Sequence, residues 1–226
     1  MVVVTNAADE HQQELIIRKK ERDSLREPLR FVFSGLSIWL EIDGCQHGGD
    51  FHSCIQACAA AFDLEPIPAG HVTAIYGMTH LTEQEAIHKF LNHVKPQLLE
   101  RTCKWPSLQP IGLLSDVELN GVNDGQMDMA WSEITFSTSE EHESCIDLLH
   151  EIFYESKNVR QGQQWRPHAS LVYDNPVPTP INLLDTAKIV SQYPSLTSMA
   201  APVVALSLWR TEGRISDWRR IERFEF

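Results

Sequence analysis

The sequence predicts an α+β fold arranged as two similar lobes, and three observations lead there. The 226-residue chain is 42% hydrophobic and carries nine Phe, six Trp and four Tyr, enough apolar material for the core of one large domain or one of two lobes. Short apolar strands alternate with amphipathic helices in the order strand, helix, strand, helix, strand, strand, helix, strand, helix, strand, strand. Each half of that order holds a histidine-bearing strand, then a helix, then a pair of strands, although no residue-level repeat is visible.

The elements follow from local pattern. Residues 1–30 are polar and charged, interrupted only by Leu15, Ile16 and Ile17, and read as a frayed or solvent-facing extension to a domain over 31–226. Phe31 to Asp43 is the first strand, and the Ala-rich run from Phe51 to Leu64 is helical. The turn "EPIPAG" delivers the chain into the strand "HVTAIYG". The next helix opens on a Thr82/Glu85 capping box, shows Ile87, Phe90, Leu91, Val94 and Leu98 on one stripe, and is kinked or restarted by Pro96. Two strands, "IGLLSDVELNG" and "QMDMAWSEITF", flank the turn "GVNDG", with Met127, Met129 and Trp131 alternating. A helix over about 140–156 is capped by Thr138 or Ser139 and presents Leu148, Leu149, Ile152 and Phe153. After "NVRQGQQ" come the strand "PHASLVYD", a turn, a helix over 181–192, and a closing strand pair, "APVVALSLWRTEG" with "WRRIERFEF".

Composition excludes several function classes. A net charge of −12 argues against a long nucleic acid as partner, since such binders carry a basic face. A small nucleotide fits better. The five cysteines, Cys45, Cys54, Cys58, Cys103 and Cys145, show no paired CxxC spacing and read as reduced thiols, Cys54 and Cys58 on one buried helix face. No metal site is expected, because the ten histidines are scattered. No apolar run is long enough to span a membrane, and "MVVV" is too short for a signal-peptide core, so a cytoplasmic location, or a nuclear one, is the default expectation.

The pattern His-x-Ser/Thr occurs four times, where about one match is expected by chance, so context has to separate the copies. Thr82 is a helix cap beside His80. His142 and Ser144 lie in the first turns of a helix, where neighbours two apart diverge, and both read as surface residues. His71/Thr73 and His168/Ser170 differ, because each pair opens a short apolar strand, where residues two apart share a face at about 6.5 Å. Strict alternation then points Val72, Ala74 and Tyr76, and likewise Ala169, Leu171 and Tyr173, to the opposite face. An unpaired buried imidazole or hydroxyl costs about 1–3 kcal/mol, so two such faces are expected to satisfy one another across a ligand.

These paired strands resemble the 2H phosphoesterase superfamily, and within it the eukaryotic cyclic phosphodiesterases of plants and yeast. "LSIWLE" resembles that family's opening strand, "HVTAIYGMTHLTEQEA" its first motif, "WRPHASLVYD" its second, and "VVALSLWRTEG" with "WRRIERFEF" its closing hairpin. The likeness covers roughly residues 33–226, and the second motif is its most specific part. It implies two lobes, each an antiparallel sheet with helices on its outer face, around a central cleft that takes one motif from each lobe. It implies His71 and His168 as catalytic base and acid in an order the sequence leaves open, Thr73 and Ser170 as donors to phosphoryl oxygens, and Tyr173 near the phosphate or sugar. It implies no cofactor or metal, a monomer, and a role in nucleotide metabolism linked to tRNA splicing. The substrates implied are ADP-ribose 1″,2″-cyclic phosphate and nucleoside 2′,3′-cyclic phosphates. Trp39 is a candidate for stacking on a base, against the plainer reading of a core Trp. Arg166 and Arg210 are candidates for a second phosphate, against plain solvent exposure. The alternatives are an enzyme acting on cyclic RNA ends, and a nucleotide-binding module that has kept the fold without catalysis.

Overall fold

The computed structural model describes residues 28–100, 105–118, 129–155, 164–176 and 178–226. Its first strand, β1 (Leu36–Ile42), is buried along its whole length, the polar Ser37 and Glu41 included. It lies between β2 (Val72–Met78) and β6 (Val203–Arg210), and β7 (Arg219–Glu225) completes a four-stranded sheet in the order β2-β1-β6-β7. A three-stranded sheet holds β3 (Pro110–Glu118), β4 (Met129–Phe136) and β5 (His168–Asp174), in that order. Every pairing is antiparallel. The chain is therefore α+β, with two antiparallel sheets and helices.

Sheet membership departs from the two sequence halves. The first sheet takes two strands from each end of the chain, because β1 pairs along its length with β6 in the register Trp39↔Ser207. The helices cross over as well. Helix α1 (Asp50–Phe62), which follows β1, packs against β5 of the second sheet. Between β2 and β3 the chain forms α2 (Glu83–Lys89), a π-helical turn (Phe90–Val94) and α3 (Lys95–Glu100). Helix α4 (Glu140–Tyr154), which follows β4, packs against β2 and α2. One hydrophobic cluster runs through both sheets, from Ile38 and Leu208 to Ile134 and Leu171.

Local signals account for the helix ends. Thr82 and Glu85 form the capping box that starts α2. The π-helical turn comes immediately before Pro96, whose ring nitrogen has no hydrogen to continue the α-helical ladder. Phe90, Val94 and Leu98 of the stripe are buried. Ser139 caps α4 together with His142, whose Nδ1 accepts from the Ser139 backbone N–H. His142 is thus 4% exposed and bonded through Nε2 to the Pro106 carbonyl, not a surface residue, because it supplies the reciprocal half of the cap. Helix α5 (Leu183–Val190) begins on Asn182, and a short α6 (Ser195–Ser198) precedes β6.

Cys45, Cys54 and Cys58 are buried free thiols, and Cys145 is half-buried. Among the described residues no helix is long and apolar enough to cross a membrane. Pro28 and Arg30 are tied to Asn175, which follows β5, through Asn175 Nδ2 to the Pro28 carbonyl at 3.0 Å and the Arg30 N–H to Asn175 Oδ1 at 2.8 Å. Residues 1–27 of the expected extension, Cys103, Met127, the "GVNDG" turn and most of "NVRQGQQ" lie outside the described residues.

Candidate functional site

The two histidine strands carry the same irregularity at the same place. In β2, Thr73 pairs with Trp39 and Ile75 with Ile38, so Ala74 has no partner of its own. In β5, Ser170 pairs with Glu133 and Val172 with Ser132, which leaves Leu171 as the extra residue. A one-residue bulge reverses the facing of the residues that follow it, in β2 until a second irregularity between Ile75 and Met78. Tyr76 therefore joins the face of His71 and Thr73, and Tyr173 joins that of His168 and Ser170, contrary to simple alternation. The shared unit is His-x-Thr/Ser-x-x-Tyr with a bulge at its fourth residue.

Both imidazoles are held in the same way. His71 Nδ1 lies 2.8 Å from the Ala69 carbonyl, and His168 Nδ1 lies 3.0 Å from the Arg166 carbonyl, in each case two residues back. A carbonyl only accepts, so Nδ1 carries the proton in both rings and Nε2 keeps the lone pair when the ring is neutral. The strands that hold them are joined by Trp165, whose indole N–H donates to the Thr73 carbonyl at 3.0 Å. His71 also feels the charge of His168, which sets the two rings within electrostatic reach of one another.

The surroundings of the rings differ. His71 is 5% exposed and lies flat on Trp39, with ring centroids 3.4 Å apart and planes 5° apart. Burial pushes its pKa down to about 3, against the favourable bond to Ala69 and with a smaller push from His168. The side chain of His168 is 43% exposed, and its Nε2 lies 3.8 Å from Glu133 Oε2. Gly70 allows the tight approach to His71, because a Cβ there would sit 1.9 Å from Cδ1 of the buried Phe51.

The hydroxyls differ too. Tyr173 donates to Ser170 Oγ at 2.7 Å, which leaves the Ser170 proton free to be given onward. Burial first, and the nearby Glu133 and Tyr76, push Tyr173 up to about 12 despite that bond, so it stays a neutral donor. Thr73 is half-buried beside His71. Tyr76 turns instead to the Ser34 N–H, accepting at 3.1 Å.

Trp39 takes a different place from a base-stacking platform. At 1% exposure it lies beneath His71 and stacks in turn on Trp209 at 4.1 Å, so it supports the imidazole. Arg166 is exposed, and Arg210 is exposed and paired with Glu212 at 2.6 Å. Strand β7 supplies two further cations. Arg223 Nε and Arg220 Nη1 reach the buried Glu41 at 2.7 and 3.3 Å. These three, with Trp209, His52 and Ala69, line part of a cavity of about 540 Å³ that adjoins the turn before His71; neither candidate histidine lines it.

Glu133, Arg220 and Arg223 were not singled out by motif. Glu133 alternates with Trp131 and Thr135 along β4, but only the β4–β5 register sets it opposite Ser170. A comparison with family models returns no match for the chain, and neither does a search of curated proteins.

Proposed function

We propose that the chain is a cyclic phosphodiesterase that opens small cyclic phosphates with two imidazoles, in a two-lobed fold of the 2H phosphoesterase type. The observation that carries this reading is the matched pair of units: two His-x-Thr/Ser-x-x-Tyr segments with the same bulge and the same Nδ1-to-carbonyl bond. Chance gives no reason for two distant strands to hold their histidines in one tautomer.

In this reading the four-stranded and three-stranded sheets form the two lobes, and the cyclic phosphate sits in a cleft between the histidine strands. One Nε2 takes a proton from water as its oxygen bonds to phosphorus. The P–O bond opposite breaks, and the other Nε2 gives a proton to the departing ribose oxygen. Ser170 and Thr73 hydroxyls donate to the non-bridging oxygens, where charge grows. The substrates are nucleoside 2′,3′-cyclic phosphates, giving 2′-phosphates, and ADP-ribose 1″,2″-cyclic phosphate, giving the 1″-phosphate. The cavity beside Ala69 offers room to the remainder of such a nucleotide, with Trp209 and the Glu41-paired Arg220 and Arg223 in its wall. With a net charge of −12, small substrates suit the chain better than RNA ends.

The test is turnover of 2′,3′-cyclic AMP and of the ADP-ribose cyclic phosphate in EDTA, followed by chromatography. His71→Ala and His168→Ala should each lower the rate by about 10²–10⁴. Unchanged activity in either variant would remove the mechanism. The burial of His71 favours one second reading, a binding module without turnover. It predicts binding of a nucleoside 2′-phosphate with no hydrolysis of either cyclic substrate.

A further inference from the structure

Glu133 is a buried carboxylate that the scheme above does not use. It is 7% exposed, it stands directly across from Ser170, and one of its oxygens is engaged. Trp131 Nε1 donates to Glu133 Oε2 at 2.8 Å, and the same oxygen lies 3.8 Å from His168 Nε2. No side chain of the opposite sign touches it among the described residues, so the negative charge of Glu133 faces the imidazole alone. A buried carboxylate without a cation is costly, and a protonated ring at His168 would supply one.

We propose that Glu133 is a positioning residue for His168: it pairs with the protonated ring and makes His168 the proton donor to the departing oxygen, leaving His71 to accept the proton of water. This rests on the reading of the chain as a cyclic phosphodiesterase.

The geometry supports the division in three ways. A separation of 3.8 Å is an ion-pair distance but longer than a hydrogen bond, so Glu133 stabilises the cation without capturing the Nε2 proton. The indole N–H of Trp131 holds the carboxylate oxygen in place. Among the described residues His71 has no comparable partner: it is enclosed against Trp39, and burial keeps it neutral, with a lone pair at Nε2. The titratable groups facing the His168–Glu133 pair are Tyr173 on β5 itself and His71 and Tyr76 on the β2 segment. Tyr173 is a neutral donor, the Tyr76 hydroxyl is engaged with the Ser34 N–H, and none of the three competes with Glu133 for a cation. In the step itself, the water oxygen bonds to phosphorus, its proton goes to His71 Nε2, the P–O bond breaks, and the His168 Nε2 proton goes to the ribose oxygen. Glu133 gains and loses no proton.

The experiment compares wild type, Glu133→Gln and Glu133→Asp on two substrates. One is 2′,3′-cyclic AMP; the other is its analogue with sulfur in place of the departing 3′ oxygen. A thiolate leaves without help from an acid, since thiols are far stronger acids than alcohols. On the oxygen substrate, Glu133→Gln should lower kcat/KM by about tenfold or more above neutral pH and move the alkaline limb of the profile to lower pH. Glu133→Asp, which keeps the charge, should restore most of the loss. On the sulfur substrate the loss should vanish, while His71→Ala remains impaired. An unchanged pH profile in Glu133→Gln, or an equal loss on both substrates, overturns the assignment. If wild type turns over neither substrate, the functional reading has failed instead. The His168 ring signal, followed by NMR as pH is raised, then still decides the pairing. A titration that moves to lower pH in Glu133→Gln supports the pairing, and one that does not move overturns it.

Discussion

Acidification from about pH 7.5 to about pH 4 tests the burial of His71 without any appeal to activity. Its pKa is pushed from an ordinary 6.5 down to about 3, mainly by burial. Above the ordinary value the ring is neutral both folded and unfolded, and contributes nothing to pH dependence. As pH falls below it, the unfolded chain takes up a proton that the native ring refuses. Unfolding is then favoured by about 1.4 kcal/mol for each pH unit, reaching about 3 kcal/mol near pH 4, and levels off as the native ring itself takes up a proton near pH 3. His71→Asn removes the titration while keeping a short side-chain N–H that can reach the Ala69 carbonyl. Equilibrium urea unfolding, followed by tryptophan fluorescence, gives the stability of both proteins at each pH. The carboxylates and other histidines contribute equally to both and cancel. The advantage of wild type over His71→Asn should therefore shrink by about 3 kcal/mol across the range. A gap that stays constant would mean that the imidazole takes its proton as readily folded as unfolded, and that the enclosure against Trp39 is wrong.

Other expectations come from the same geometry. Gly70→Ala would drive a Cβ to 1.9 Å from the Phe51 ring, and should cost about 2–3 kcal/mol in urea unfolding; a neutral result would misplace the turn before His71. Tyr173→Phe removes the donor to Ser170 Oγ, and should lower kcat on a cyclic phosphate about tenfold with at most about 1 kcal/mol lost in stability. Arg223→Met leaves the buried Glu41 with only the longer contact to Arg220, and should cost about 3 kcal/mol, whereas Arg210→Met should stay within about 0.5 kcal/mol because its pair is exposed.

The strand and helix pattern was largely legible because burial on one face imposes a period that the residues display. The box at Thr82/Glu85, the buried stripe of Phe90, Val94 and Leu98, and the disturbance before Pro96 were all local, and local signals carry their own geometry. Reading His142 as a surface residue failed because a histidine three residues after a cap looks exposed until its bond back to Ser139 is seen. The facing of Tyr76 and Tyr173 failed for another reason. A bulge is defined by two strands, and the sequence of one strand does not show where its partner skips a residue. Nor does the order of elements reveal that β1 finds its partner in β6, far along the chain.

By itself, then, the sequence determined which residues are the candidates: two histidines, each with a hydroxyl two positions on, in short apolar strands. Composition and periodicity are enough for that, since they depend only on neighbours along the chain. The tertiary structure decided what surrounds each of them. It put Trp39 under His71 rather than against a ligand, turned Tyr173 onto Ser170, and set Glu133 beside one imidazole while enclosing the other. Those differences come from desolvation and charge, which act through space, and two strands that share a histidine, a hydroxyl and a tyrosine at the same spacing acquire different surroundings only on folding.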